Sequence, residues 1–363
     1  MTIALICNSL NPDLIAYFRA KLRIPETEVG AELLWFCNGR VKLEAAQPVR
    51  TSSLSPASGF SAFFFVDCLL SVYVLAVLLW KRARTVIFDT AHISNLPLAL
   101  GCKLFGIEIV FTIHDWEPHP GPRNRATCWY NQACRDFLAD RFIVFSRTPA
   151  GRVPTTVFRL SGFEPRPVRE GRGKYFLFFG RIEPYKGLSS LLEIATLLER
   201  RLPDHEIRVA GKGSDPALAP LAARPNVRVI NRFIEQAELD DLFGGAIATL
   251  LPYQSATQSG VAVLSYAYGT PVVAFDVGAL GEYIERGHSG ELVRPGDLED
   301  FVAQMMRVEA RLPDYEAYIR RGFEERYGVS ALVSQYAGFL RGLVQDSEGL
   351  TPLRAGEERH RVR

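Results

Sequence analysis

The sequence predicts an α/β protein made of two doubly wound parallel-sheet domains in tandem, and three observations lead there. The chain has 363 residues, 48% of them apolar and 23% charged, which is enough for two domains of ordinary globular composition. Short apolar runs alternate with helical patterns along most of the length, as they do when a parallel sheet is covered on both faces. Between two such alternations lies EPRPVREGRGK (164–174), whose Pro, Gly and charge read as a linker.

In the first half, residues 2–7 form an apolar run. Asn8, Ser9, Asn11 and Pro12 supply a turn, and Leu14, Tyr17, Phe18 and Leu22 recur at helical spacing. Further strands are expected at 32–37, 85–88, 108–113 and 141–145, with a helix at 95–105 and a Pro/Ser-rich connection around 48–58. In the second half, strands are expected at 175–180, 206–210, 227–230, 247–253 and 271–275. Helices at 186–201, 235–243, 260–268 and 280–285 alternate with them. The expected domains are therefore 1–165 and 166–330, followed by a helix at 331–347 packing back toward the first domain and a charged flexible tail at 348–363.

Net charge is +2, from 42 basic and 40 acidic side chains, too balanced for a chain that lives on nucleic acid phosphate. The balance is uneven: residues 1–171 hold 19 basic against 14 acidic groups, so the first half can face something anionic. All six cysteines (7, 37, 68, 102, 128 and 134) lie in the first half without a CxxC pair, and no secretory n-region precedes TIALIC. A reducing cytosol and no metal site are expected.

One segment stands apart. Residues 60–80 contain only Ser61, Asp67 and Ser71 as polar groups and end in Lys81-Arg82-Ala83-Arg84. As a helix this run would be about 32 Å long, enough for a bilayer. Asp67 would cost ~3 kcal/mol near the membrane centre, and a strand follows at once. Spanning, burial against the sheet and adsorption on the bilayer all remain open; the expectation taken forward is peripheral contact with the inner face of the membrane.

Chemistry concentrates at two points. In Phe179-Gly180-Arg181-Ile182-Glu183-Pro184-Tyr185-Lys186-Gly187, two cations stand five residues apart where a strand gives way to a helix, above the carboxyl end of a parallel sheet. Fixed positive charge and backbone N–H groups there suit a diphosphate. Lys is scarce, seven against 35 Arg, so Lys186 is not a product of composition. Thr257-Gln258-Ser259-Gly260-Val261 opens a helix with small residues and free amides, which favour an anion. A solvated loop cation and an ordinary N-cap are the plainer alternatives for each taken singly.

Taken together, GRIEPYKG (180–187), IRVAGKGSD (207–215), the run from Ser259 to Asp297 and, more weakly, HISN with FTIHDWEPH resemble the retaining nucleotide-sugar glycosyltransferases of the GT-B fold, glycosyltransferase family 4. The resemblance implies two Rossmann-like domains facing a cleft. It implies that Arg181 and Lys186 bind the donor diphosphate, with Gly211 close by, and that the Ser259-Gly260-Val261 amides and Gln258 meet its distal part. The base would rest near Arg232, Phe233 and Ile234. His92 falls where the family keeps a His near the donor sugar, and His114, followed by Asp115 and His119, ends the next strand. Both are candidate catalytic residues.

Two departures follow from the resemblance. The family's pair of glutamates eight positions apart is expected at Thr257 and Ser265, neutral hydroxyls that would grip the donor more weakly than carboxylates. The Gly-rich turn after the first strand is replaced by Asn8-Ser9-Leu10-Asn11. The implied activity is metal-independent transfer from a nucleotide diphosphate sugar, with no other cofactor, to a saccharide or lipid-linked acceptor for surface polysaccharide. A non-catalytic partner subunit and a nucleotide-sugar epimerase are the alternatives.

Overall fold

The computed structural model describes residues 1–43, 47–56, 62–114, 129–130, 132–147, 153–167, 171–256 and 258–349. The chain divides into two compact units. One is centred on Met1–Thr112 with the chain from Val333 onward; the other is centred on Ile143–Leu332.

With helices of eight residues or more numbered, the first stretch runs β1 (Thr2–Cys7), α1 (Pro12–Lys21), β2 (Glu32–Asn38), β3 (Val49–Ser53), α2 (Phe64–Trp80), β4 (Ala83–Phe88), α3 (Asn95–Leu104), β5 (Glu108–Ile113), β6 (Arg141–Val144) and β7 (Thr155–Val157). The strands lie in the order β3-β2-β1-β4-β5-β6-β7, and β3 to β5 are parallel. Ile3, Ala4, Leu5 and Ile6 are wholly buried, which explains why β1 is an unbroken apolar run rather than an alternating one. Helix α1 starts where Asn11 Oδ1 accepts the Asp13 amide at 2.8 Å with Pro12 in its first turn. Strand β3 is formed by VRTSS, inside the stretch whose composition suggested a connection.

Helix α2 corrects two placements considered for 60–80. It has 17 residues, and no helix among the described residues is long and apolar enough to cross a membrane. Nor is it buried. Its inward stripe is Asp67, Ser71, Val74 and Leu78, whereas Phe65, Leu69, Val72 and Trp80 are 67–79% exposed. The helix thus buries its two polar side chains, Asp67 and Ser71, beside Val74 and Leu78, and leaves large apolar side chains exposed on its other face. Helix α3 packs beside it at Gly101, where a Cβ would stand 2.7 Å from Leu75. It extends the exposed apolar face with Leu100, Leu104 and Phe105.

The second stretch runs β8 (Tyr175–Phe179), α4 (Leu188–Arg201), β9 (Glu206–Ala210), β10 (Val227–Ile230), α5 (Gln236–Gly244), β11 (Thr249–Leu251), α6 (Gly260–Ala267), β12 (Val272–Phe275), β13 (Gly290–Val293), α7 (Leu298–Ala310), α8 (Leu312–Tyr327) and α9 (Val329–Gly349). Its six strands are all parallel in the order β10-β9-β8-β11-β12-β13. The helix expected at 280–285 is a single turn, Leu280–Tyr283, and β13 carries no strong strand signal because Gly290 opens it.

The linker composition at 164–174 also misleads. Arg172, whose side chain is only 9% exposed, is the hub of the second unit. Its guanidinium binds Glu316, the carbonyls of Phe243, Gly244 and Ala246, and Thr270 Oγ1. From Val333 onward, α9 lies in the first unit: Tyr336 Oη donates to Asp89 at 2.7 Å, and Arg341 and Asp346 pair with Glu28 and Arg141. The tail from residue 350 lies outside the described residues.

Candidate functional site

An open parallel sheet binds ligands beyond the carboxyl ends of its strands, at the point where strand order reverses. In the second unit that point lies between β8 and β11, and the local order there is the one that gives such sheets their crevice. Chain leaves β8 through Gly180 and Arg181, and leaves β11 through Pro252 and Tyr253.

Glycines let these loops come together. A Cβ on Gly211 would stand 1.8 Å from the Gly180 carbonyl oxygen, and one on Gly187 1.7 Å from that of Pro252. Both also have left-handed φ, +148° and +76°. The Gln254 amide donates to the Tyr185 carbonyl at 2.8 Å, so the GRIEPYKG loop is stitched to the chain after β11. Gly180 also touches the start of α6: its Cβ position is 3.6 Å from Val261. The structure thereby gathers Gly180, Lys186, Gly187, Gly211, Ser259, Gly260 and Val261 at one sheet edge.

Within this group Lys186 sits in a 3-10 turn, Pro184–Lys186, with its Nζ 3.9 Å from the ring centroid of Tyr253. The negative face of the ring attracts the ammonium and helps to place it. Burial pushes the Tyr253 phenol up, so it stays protonated beneath the ammonium. Arg181 is 70% exposed and pairs with Glu183 at 3.1 Å. Ser259 caps α6 by accepting the Ala262 amide at 3.2 Å, leaving the first amides of the helix, Gly260 and Val261, for another acceptor. Among the described residues the nearest neighbour to a Cβ on Gly260 would be Leu160, at 3.9 Å. Gln258 Oε1 is buried with no hydrogen-bond partner among the described residues.

Arg232, Phe233 and Ile234 follow β10. Arg232 clasps both oxygens of Glu238 at 2.5 and 2.8 Å, and this hydrogen bonding, with the Glu235 amide, holds the Glu238 carboxyl down at about 2. Glu235 and Glu238 form the capping box of α5, so the loop is anchored to that helix. Phe233 projects, 76% exposed, and Ile234 is buried.

Ser265 requires a correction. It is wholly buried, its Oγ between Thr249 Oγ1 at 2.6 Å and the Thr270 carbonyl at 2.9 Å, so it ties α6 to β11 rather than facing a ligand. The less covered face of α6 carries Gly260, Val261 and Leu264, spaced as one helical stripe. Leu264 therefore occupies the outward place expected of the second glutamate, and eight positions earlier stands Ala256. Thr257 lies outside the described residues, as do Asp115 and His119.

In the first unit the corresponding edge is that of β1 and β4. His92 is buried, 2% exposed, and its Nδ1 accepts the Ser94 amide at 3.2 Å. His114 follows β5 and falls, with Phe145, in the second unit; the two rings stack with centroids 4.9 Å apart. Asn8, in place of a Gly-rich turn, is bonded to Asn95, Thr90 and Ser52. Sequence reading missed Tyr253 and Asp67. An aromatic directly after an apolar strand was the available signal for the first.

Residues 173–310 match the family model described as glycosyl transferases group 1. Over 216 residues the chain is 32% identical to D-inositol 3-phosphate glycosyltransferase 2 of Catenulispora acidiphila, covering 53% of this chain and 50% of that protein. A D-inositol 3-phosphate glycosyltransferase of Streptomyces bingchenggensis is 33% identical over 185 residues, 46% of this chain and 41% of that one. The chain spans about half the length of the curated relatives it matches. Among solved structures, the lipopolysaccharide outer core galactosyltransferase WaaB in apo form superposes with a TM-score of 0.64 at 18% identity, covering 93% of this chain and 99% of that one. HepE of Anabaena in complex with UDP gives 0.65 at 17%, covering 94% and 100%. These likenesses establish the GT-B fold.

Proposed function

We propose that the chain is a member of the glycosyl transferases group 1, whose family model matches residues 173–310, and that it moves a sugar from a nucleotide diphosphate sugar to an acceptor hydroxyl with retention of anomeric configuration. The observation that carries this is the gathering of Lys186, Arg181 and the α6 N-terminus around Gly180 and Gly211. As the bond between sugar and diphosphate breaks, negative charge grows on the leaving phosphate. Arg181, Lys186 and the Gly260 and Val261 amides meet that charge without a metal ion. Arg232, Phe233 and Ile234 receive the base, and Gln258 offers its amide to the donor. His92 and His114 are the groups we propose to serve the sugar and the acceptor hydroxyl. The UDP in the HepE complex makes a UDP-sugar the first donor to try.

The acceptor we propose is a saccharide or lipid-linked saccharide of a surface polysaccharide, used by a cytoplasmic enzyme resting on the inner face of the membrane. Support comes from the exposed apolar face of α2 and α3, with Arg82, just after α2, and Arg84, in β4, exposed. Leu69→Glu should leave the melting temperature within about 2 °C, because Leu69 is 73% exposed, yet release the protein from anionic vesicles in a flotation assay. Undiminished flotation would remove the membrane contact.

The transfer itself is tested by turnover of a labelled nucleotide sugar. Arg181→Ala and Lys186→Ala should each lower it at least a hundredfold, since one lost charge-stabilising donor costs ~3 kcal/mol of barrier. Near-normal turnover in both variants, or transfer abolished by chelation and restored by Mg²⁺, would sink the metal-free account. The apolar pair Ala256 and Leu264 favours one rival, a non-catalytic partner subunit, which would bind a nucleotide diphosphate and transfer nothing.

A further inference from the structure

The first unit holds a buried carboxylate that the proposed function leaves unused. Asp67 sits in the first turn of α2 with its side chain fully buried, and no cation pairs with it among the described residues. Such a group is costly unless its oxygens are hydrogen-bonded, and here each one is. Oδ1 accepts the Leu54 amide at 2.8 Å, and Oδ2 accepts the hydroxyls of Ser53, at 2.8 Å, and of Ser94.

Ser94 connects this carboxylate to His92. Its hydroxyl donates to Asp67 and its backbone amide donates to His92 Nδ1. A backbone N–H can only donate, so Nδ1 bears a lone pair and the proton of the neutral ring is on Nε2. The ring is packed as well as bonded, since His92, Ser94 and Asn95 are each no more than 2% exposed. Ser53 bonds the same carboxylate oxygen but makes no contact of this kind with the ring, which gives a built-in comparison. The burial of Asp67 in α2 also finds its reason here: the helix turns its one carboxylate inward to this chain of bonds.

We propose that Asp67 is a positioning residue which, through Ser94, holds the His92 imidazole in the Nε2–H tautomer, so that the ring offers its ligand a hydrogen-bond donor rather than a proton acceptor. The catalytic consequence rests on the proposed place of His92 near the donor sugar; the tautomer does not.

The test is long-range ¹⁵N–¹H correlation spectroscopy of the full chain labelled in histidine. Wild type should show His92 as a single tautomer with unprotonated Nδ1. Asp67→Asn and Ser94→Ala should each give mixed or exchange-broadened ring signals, whereas Ser53→Ala should leave them unchanged although it removes a bond to the same oxygen. If Asp67→Asn does not fold, Ser94→Ala, which keeps the backbone amide, decides alone. An unaltered tautomer in the folded variants, or equal effects of Ser53→Ala and Ser94→Ala, would overturn the proposal. Turnover measured beside it separates the two readings. A disturbed tautomer with kcat lowered roughly tenfold to a hundredfold at near-constant KM supports both. A disturbed tautomer with unchanged turnover supports the positioning and removes His92 from the donor site.

Discussion

The two sheets reverse strand order in the same way, yet their switch points are built oppositely. Between β8 and β11 the edge is made of backbone: Gly187 and Gly211 allow main chain to approach main chain, and Lys186 and Arg181 stand above it. Between β1 and β4 the edge is filled by side chains. Asn8, Thr90, Asn95 and Ser52 bond one another, and Lys21, wholly buried, meets Asp89 at 2.6 Å between the rings of Tyr17 and Tyr336. A phosphate needs exposed amides and fixed charge, which glycines provide; a selective hydroxyl site needs polar groups held rigid, which a bonded network provides. One sheet design repeated twice thus carries two kinds of edge, one of backbone and one of bonded side chains, and the glycine content at each turn decides which.

The contrast breaks most severely at Gly211. Gly211→Ala would drive a Cβ into the Gly180 carbonyl at a left-handed φ, and a loss of at least about 4 kcal/mol is expected in urea unfolding. A tolerated alanine there would show that the backbone edge is not under constraint.

Next in size is Lys21→Met, which leaves Asp89 buried without its cation and should cost about 3 kcal/mol. The same lysine gives a pH signature. Burial lowers its pKa to about 8, against which Asp89 pulls upward. Between that value and the usual ~10.4 the unfolded chain binds more protons than the folded one, so this group's contribution to stability rises with pH across the window. Wild type should therefore gain stability relative to Lys21→Met from pH 8 to 10, and a constant difference would contradict the burial.

Much of this was legible in the sequence, and where it was not the cause is physical. Residues 2–7 and 108–113 read as strands and are strands with those bounds, because burial on both faces makes an apolar run unmistakable. The GRIEPYKG and QSGV stretches were legible because a strand-to-helix turn with cations or small residues has few other uses. Arg172 was not, since composition places Arg in solvent and only the fold supplies seven carbonyl and side-chain acceptors around it. Ser265 was misplaced for a related reason: two adjacent positions on a helix face directions 100° apart, and counting from a motif does not decide which looks outward. Asp67 was read only as an obstacle to membrane insertion, because its partners Ser53 and Ser94 are distant in sequence.

A smaller effect sharpens that correction. Ser265→Ala deletes two buried hydrogen bonds and should cost about 2 kcal/mol of stability while leaving nucleotide affinity unchanged. Loss of affinity at full stability would return Ser265 to the ligand side.

The glycine-built edge of the second sheet is tested most directly by calorimetric titration of the full chain with nucleoside diphosphates, in wild type and in Lys186→Ala. At least one diphosphate should bind wild type, with Lys186→Ala weakening it by about tenfold or more, the worth of a charge-assisted hydrogen bond. Binding that is equal in the two proteins, or no binding of any nucleoside diphosphate by wild type, would contradict a phosphate site between β8 and β11.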